Sequence, residues 1–148
     1  MFDLNLPPAE SLRIRHDAGH SLIYDSLRQR YVALTPEEWV RQHFVNFLIA
    51  YKGYPKSLIA NEVSLRLASV TRRVDTVVYN RDLTPLMIIE YKAPNIQITQ
   101  QTFRQITNYD RALHAKYLTL SNGLKHFCLR VSPESTTFLS SFPTFDDL

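Results

Sequence analysis

Residues 74–94, VDTVVYNRDLTPLMIIEYKAP, constrain the fold more than any other stretch of this sequence. Two apolar runs of strand length, 74–79 and 86–91, flank the turn-forming residues Asn80–Asp82, and this pattern predicts an antiparallel β-hairpin. The second run is apolar on both faces at its start, so we expect it to lie in the centre of a β-sheet.

Three charged side chains interrupt this otherwise apolar stretch: Asp75, Glu90 and Lys92. Because side chains alternate along a strand, Glu90 and Lys92 project from the same face. If the two strands pair through the short turn, Asp75 and Glu90 converge at one end of the hairpin. Converging carboxylates repel each other, a divalent cation relieves that repulsion, and oxygen ligands favour Mg²⁺ or, alternatively, Mn²⁺.

A metal beside an ammonium group suits phosphodiester hydrolysis, which needs an activated water and charge stabilisation on the phosphoryl oxygens. The alternative is an exposed hairpin end carrying a solvated Glu90–Lys92 ion pair, which is the usual meaning of an isolated Glu-x-Lys. The context favours the site, because the Glu-x-Lys ends an apolar strand and Asp75 lies at hairpin distance.

The rest of the chain predicts an α/β class, a mixed β-sheet flanked by helices. Thr35 suits a helix N-cap, with Pro36 in the first turn and Glu38 completing a capping box. An apolar stripe of this first helix runs to Tyr51, and Gly53 ends the helix. The other predicted elements are a small N-terminal β-meander from pieces at 11–15, 21–25 and 30–34, a strand over 61–69, a turn at 71–73, a helix from Ile98 to about Ala115, a hairpin turning at Asn122-Gly123, and one edge strand before a loose C-terminal tail.

Composition narrows the class of protein. The 148 residues are 45% hydrophobic and 21% charged, which is typical of a globular domain with a real core. The net charge of +3 permits contact with nucleic acid without requiring it. The single cysteine excludes an internal disulfide, and neither a signal peptide nor a membrane-length apolar run is evident. We therefore expect a cytoplasmic protein with no membrane partner.

A polar pattern follows on the second predicted helix. Gln105 and Tyr109 are four residues apart and therefore share a helix face. Their stripe flanks the apolar face, so it either borders a cleft or is an ordinary solvated flank.

Asp75, then Glu90-x-Lys92, then Gln105-x-x-x-Tyr109 resemble, in this order, the PD-(D/E)xK nuclease superfamily. More narrowly, the segments PEEWVRQ, VDTVVYN, IIEYKAP and LSNG are similar to the N-terminal nuclease domain of type I restriction enzyme R subunits, over roughly residues 28–130. The resemblance implies a restriction-endonuclease-like fold and a Mg²⁺-dependent DNA endonuclease. In it, Asp75, Glu90 and the main-chain carbonyl of Tyr91 bind the metal, and Lys92 positions water or stabilises the transition state.

The resemblance also implies supporting residues. Gln105 and Tyr109 become accessory groups near the DNA or the metal. A further catalytic glutamate from the first helix is expected, and we assign it to Glu37 because Glu38 is occupied by the capping box. The remaining candidates are Glu62 as a spare carboxylate and the pair Arg72 and Arg73, at the entry to the Asp75 strand, as DNA phosphate contacts or a solvated turn.

The sequence lacks the GxxxxGK[ST] motif, so we expect no ATP site in this chain. DNA is the expected partner, with a separate motor or specificity subunit in a multi-chain system, and a homodimer stays open because a double-strand break needs two sites. We expect a single restriction-endonuclease-like domain over 1–148, with an arm and β elements at 1–34, a nuclease core at 35–131 and a tail at 132–148. The alternative is a non-catalytic nuclease-fold module for DNA binding or subunit docking, and a purely structural interaction protein ranks last.

Overall fold

The computed structural model describes every residue except residue 68, and it describes no side chains at positions 67 and 109–112. The described residues form two β-sheets and two α-helices. In chain order the elements are β1 (Ile14–Asp17), β2 (His20–Asp25), β3 (Arg30–Ala33), α1 (Pro36–Lys52), β4 (Ile59–Leu67), β5 (Val70–Tyr79), β6 (Pro85–Tyr91), α2 (Gln100–Leu113), β7 (Tyr117–Ser121), β8 (His126–Val131) and β9 (Thr136–Phe138). In the part of the chain so described, neither helix combines the length and apolarity needed to span a bilayer.

The predicted fold class is confirmed. Strands β1–β3 form a small antiparallel meander, and β4 to β9 form one six-stranded mixed sheet in sequence order among the described residues. Strand β6 pairs antiparallel with β5 and parallel with β7, with α2 in the crossover between them. Met87, Ile88 and Ile89 of β6 are completely buried, as expected for a central strand.

Helix α1 begins and ends where the sequence predicts. Thr35 caps it by accepting a hydrogen bond at Oγ1 from the Glu38 N–H, at 3.0 Å, and Gly53 ends it in the left-handed region at φ +71°. The second half of the capping box is wrong, because the Glu38 carboxylate instead accepts from Arg28 and Gln42. Those partners lie on the buried side of the helix, so the carboxylate turns inward.

The two helices are packed against separate apolar layers. One layer joins α1 to the six-stranded sheet through Val40, Phe44, Leu48, Met87, Ile89 and Tyr91. The other joins α2 to it through Val77, Ile88, Ile106, Leu118 and Leu120. Tyr51, predicted for the apolar stripe of α1, is instead 49% exposed, and its hydroxyl donates to the Pro8 carbonyl.

Two further expectations are wrong. The predicted turn at 71–73 lies inside β5, which begins at Val70 and pairs with β4 along that length. The C-terminal segment is not a loose tail, because Phe142 packs on Phe44 with ring centroids 5.4 Å apart and the Tyr54 hydroxyl donates to the Pro143 carbonyl. The abundance of Ser, Thr and Pro in that segment hides its few apolar side chains, and these are what anchor it.

Candidate functional site

Asp75 and Glu90 lie side by side on adjacent strands. The β5–β6 register pairs Thr76 with Ile89, and one step further along the same register places Asp75 opposite Glu90. The Tyr91 N–H donates to Asp75 Oδ2 at 2.8 Å, which fixes one oxygen of that carboxylate at the end of β6. The register shifts by one residue between Val78 and Tyr79, next to the turn, and without that shift the Tyr79–Pro85 pairing would place Asp75 opposite Ile89 instead of Glu90.

The Glu90 carboxyl group is largely buried, and its Oε1 has no hydrogen-bond partner among the described residues. Burial raises the pKa of Glu90 well above its usual range, and the neighbouring Asp75 raises this pKa further, while Lys92 opposes the shift. A carboxylate oxygen can only accept, so this oxygen requires a proton or a cation. In the structure, Glu90 is therefore the carboxyl of the pair that favours its neutral form.

Lys92 and Glu37 both interact electrostatically with the charged groups of this site. The Lys92 ammonium lowers the pKa of both Glu90 and Glu37, so its charge lies near each. Burial raises the Glu37 pKa, and Asp75 raises it further. The first turn of α1 thus brings a third carboxyl to the site. The backbone of Lys92 is held by the Ser121 carbonyl, which accepts its N–H at 2.9 Å.

Arg41 is the main residue that the sequence reasoning missed. It is only 3% exposed, and its guanidinium contacts carboxylates from three elements: Nη2 lies 2.6 Å from Glu62 and 3.2 Å from Asp75, and Nη1 lies 3.4 Å from Glu38. The spacing of Arg41 from Glu37 and Glu38 on one helix face was the signal available in the sequence. The partners on β4 and β5 are distant along the chain and leave no local pattern.

Glu62 lies opposite Asp75, because the β4–β5 register pairs Asn61 with Thr76 and Val63 with Val74. Its backbone adopts φ +56°, the left-handed region, which is strained for a non-glycine residue. The carboxylate is held by Arg41 and, at 3.4 Å, by Arg73. Glu62 is therefore already engaged by arginines and is less available to a metal than Glu90.

A second group of buried charges connects the meander to α1. Arg28 donates from Nη2 to Glu38 Oε1 at 2.7 Å, and its Nε donates to Asp25 Oδ2. Asp25 is completely buried and also accepts from Asn61 Nδ2 at 2.9 Å. These hydrogen bonds lower the Asp25 pKa against the opposing effect of burial. The ion pairs thus run without interruption from Asp25 to Asp75 through Arg28, Glu38 and Arg41.

Arg72, Arg73 and Gln105 are the other predicted residues whose side chains the structure describes. Arg72 and Arg73 are exposed on β5, and Arg73 Nη1 lies 3.4 Å from Glu62. Gln105 is exposed on α2, and no contact among the described residues links it to Asp75 or Glu90. Tyr109 belongs to the same helix, but its side chain lies outside the described residues.

Comparison with known proteins gives a family and a fold. The family model for the type I restriction enzyme R protein N terminus matches residues 36–143. A fragment described as an HsdR subunit of a type I restriction enzyme from Vibrio vulnificus YJ016 has a similar structure, with a TM-score of 0.59 and 22% sequence identity. The similarity covers 78% of this chain but 24% of that one, so this chain spans about a quarter of its length. No curated protein matches. Since the family model covers most of the sequence, this chain belongs to the family of type I restriction enzyme R protein N-terminal domains.

Proposed function

We propose that this chain is a PD-(D/E)xK nuclease domain that hydrolyses phosphodiester bonds of DNA with the help of Mg²⁺. The observation that carries the proposal is the juxtaposition of Asp75 and Glu90 with the Lys92 ammonium beside them. Family membership supports it, because the matched family is the N-terminal part of a restriction enzyme subunit.

The residues present fit a hard divalent cation. The unpartnered Oε1 of Glu90 is a buried acceptor that a cation would satisfy, and Asp75 lies next to it. Among the described residues, no three His, Cys, Asp or Glu side chains form a ready-made metal cluster. Mg²⁺ does not require such a cluster, because it is usually bound by one or two carboxylates and keeps several waters. We assign the metal to Asp75, Glu90 and the main-chain carbonyl of Tyr91, with water completing its coordination. Bound there, the cation would supply Lewis-acid stabilisation of phosphoryl charge and a more acidic water.

The side chains of this chain have separate tasks in the proposal. Lys92 places a positive charge where it can hold the attacking water or stabilise phosphoryl oxygens. Glu37 adds a third carboxyl, of raised pKa, next to that ammonium. Arg72 and Arg73 contact the DNA backbone, and Gln105, Tyr109 and Glu62 are accessory. A motor or specificity subunit and a second copy of this chain are the proposed protein partners.

Calorimetric titration with Mn²⁺ tests the metal assignment directly. We expect the wild-type chain to bind Mn²⁺, and Asp75→Asn and Glu90→Gln each to weaken binding by at least about tenfold, because each removes an anionic ligand. Glu134→Gln, which changes an exposed carboxylate outside the site, is the matched control and should bind like wild type. Wild-type affinity in both site variants would remove the assignment.

The raised pKa of Glu90 predicts a pH dependence of its own. Between the ordinary value of 4.5 and the raised one, the folded metal-free protein binds more protons at Glu90 than the unfolded chain does, so its stability falls as pH rises. Binding of Mn²⁺ displaces that proton, and its affinity should increase by up to about tenfold per pH unit across the same window. Glu90→Gln should flatten the dependence of the metal-free melting temperature on pH. If the melting temperature of metal-free Glu90→Gln changed with pH as steeply as that of the wild type, Glu90 would not be the source of the pH dependence.

A second candidate function is a nuclease-fold module that binds DNA or docks subunits without cutting. It is favoured by one observation: both oxygens of Asp75 already accept hydrogen bonds, from Arg41 and from the Tyr91 N–H. Absence of Mn²⁺ binding by wild type, even with DNA present, would favour this module over the nuclease.

A further inference from the structure

Arg41 is a buried arginine that contacts three carboxylates. Carboxylates from α1, β4 and β5 meet around one buried guanidinium, which takes Glu38 on Nη1 and both Glu62 and Asp75 on Nη2. Burial lowers the Arg41 pKa, but the pKa is raised overall by these three carboxylates. Removing one partner of a buried ion pair leaves an uncompensated charge, which is strongly unfavourable. The three acidic groups therefore depend on Arg41 for their close approach.

The geometry of the contact with Asp75 is specific. Arg41 Nη2 donates to Oδ1, while the Tyr91 N–H donates to Oδ2, so one donor on each oxygen fixes the plane of the carboxylate. The same nitrogen contacts Glu62, while Nε and Nη1 of Arg41 have no hydrogen-bond partner among the described residues. A guanidinium holds its nitrogens in a rigid plane, whereas a lysine ammonium is a flexible point charge that does not reproduce this placement of Nη2. Arg41 thus holds Asp75 in orientation as well as in charge.

Arg41 is itself anchored from the meander. Its partner Glu38 is fixed by Arg28 at 2.7 Å and Gln42 at 2.8 Å, and Arg28 is held by the buried Asp25. None of these anchoring residues belongs to the Asp75–Glu90 hairpin. The meander therefore supports the orientation of Asp75 through a continuous path of ion pairs.

We propose that Arg41 is the positioning residue of this centre: it orients the Asp75 carboxylate beside Glu90, and the Asp25–Arg28–Glu38 ion pairs set its own position from the meander. The geometric part of the inference concerns Asp75 in the metal-free protein. The consequence for metal binding and DNA cleavage rests on the proposed nuclease function.

Arg41→Lys tests the geometric part without metal, DNA or activity. The Tyr91 amide donates to Asp75, so loss of the rigidly held Nη2 should free Asp75 to move and accelerate hydrogen exchange at Tyr91 by at least about tenfold relative to the other amides of β6. Arg130→Lys, which changes an exposed arginine of β8, is the matched control and should leave the Tyr91 exchange unchanged. Unaltered relative protection of Tyr91 in folded Arg41→Lys would overturn the proposal.

The same variant tests the functional part. We expect Mn²⁺ affinity to fall by about fivefold or more, and kcat on DNA to fall by about a hundredfold with KM little changed, because a slightly misplaced catalytic group costs rate rather than substrate binding. If Arg41→Lys does not fold, Arg28→Lys loosens the anchor further away and should show the same changes to a smaller degree. Wild-type exchange, Mn²⁺ affinity and kcat in folded Arg28→Lys would then overturn the proposal.

The results separate this inference from the proposed function. Faster exchange at Tyr91 in a protein whose wild type binds no Mn²⁺ and cuts no DNA would uphold the positioning of Asp75 and reject the nuclease. If the wild type is active and Arg41→Lys binds Mn²⁺ and cleaves DNA normally, the positioning role of Arg41 would be rejected and the proposed nuclease function would be retained.

Discussion

Lys92→Ala is expected to reduce Mg²⁺-dependent cleavage of DNA by about 10²–10³-fold in kcat, the effect of removing one preorganised electrostatic contact from a transition state. The reason is the position of the ammonium, which lies close enough to Glu90 and Glu37 to oppose the rise in pKa that burial and Asp75 cause at both carboxyl groups. Cleavage of a plasmid and of a labelled duplex under single-turnover conditions measures the loss. Binding of Mn²⁺ should survive, because Lys92 is not a ligand.

Lys125→Ala is the matched control for this experiment. Lys125 is exposed in the turn between β7 and β8, where its backbone N–H donates to Asn122 Oδ1 and its carbonyl accepts from the Asn122 N–H. We expect wild-type cleavage from this variant. Asp75→Ala completes the comparison by removing a proposed ligand and should be as inactive as Lys92→Ala. Metal-dependent cleavage retained by both Asp75→Ala and Lys92→Ala would eliminate the mechanism.

Phe44→Ala is expected to lower the free energy of unfolding by about 3–5 kcal/mol, through lost burial and the cavity left behind. Phe44 is completely buried, and its ring lies 5.7 Å from that of Tyr91 and 5.4 Å from that of Phe142. The change therefore removes aromatic contacts of α1 with the end of β6 and with the C-terminal segment, while Phe47 and Lys52 keep theirs with Phe142. Chemical denaturation monitored by circular dichroism measures the free energy of unfolding of the variant and the wild type.

Phe138→Ala makes the same chemical change at a position that is 57% exposed on β9. Its ring still touches Phe103 and Phe127, so we expect a loss of at most about 1 kcal/mol. Similar losses from the two variants would show that the layer around Phe44 is not the dominant core of this domain.

The hairpin that carries Asp75 and Glu90 could be predicted from the sequence because its determinants are local. Alternating side chains fix which residues share a face, and the short turn after Tyr79 brings Asp75 and the end of β6 together to within one residue. The register shift between Val78 and Tyr79, which places Asp75 opposite Glu90, was not predicted. The ends of α1 were predictable for the same reason, since Thr35 and Gly53 act within one turn of the helix.

Arg41 was not predicted, and Glu62 was predicted only as a spare carboxylate, without its partners. Their contacts join elements that are far apart in the chain, and an arginine inside a helix looks like a solvated residue until the sheet is placed beside it. The left-handed backbone of Glu62 has no signal in the sequence, because no glycine marks it. Glu38 was misassigned to the capping box because its strongest competitor, Arg28, lies ten residues earlier and reaches the carboxylate only in the folded protein. Gln42, the other partner of this carboxylate, lies four residues later on the same helix and was a local signal.

Because β6 pairs in parallel with β7, insertions and deletions in the connection between these strands should affect the site differently from those inside the strands. The ends of these strands are joined where the Ser121 carbonyl accepts the Lys92 N–H, while the connecting segment travels away through α2 and returns. Homologues could therefore lengthen or shorten that excursion without displacing the lysine. A single residue gained or lost between Asp75 and Glu90 would instead send one carboxylate to the other side of the sheet, unless a second irregularity like the one between Val78 and Tyr79 absorbed it.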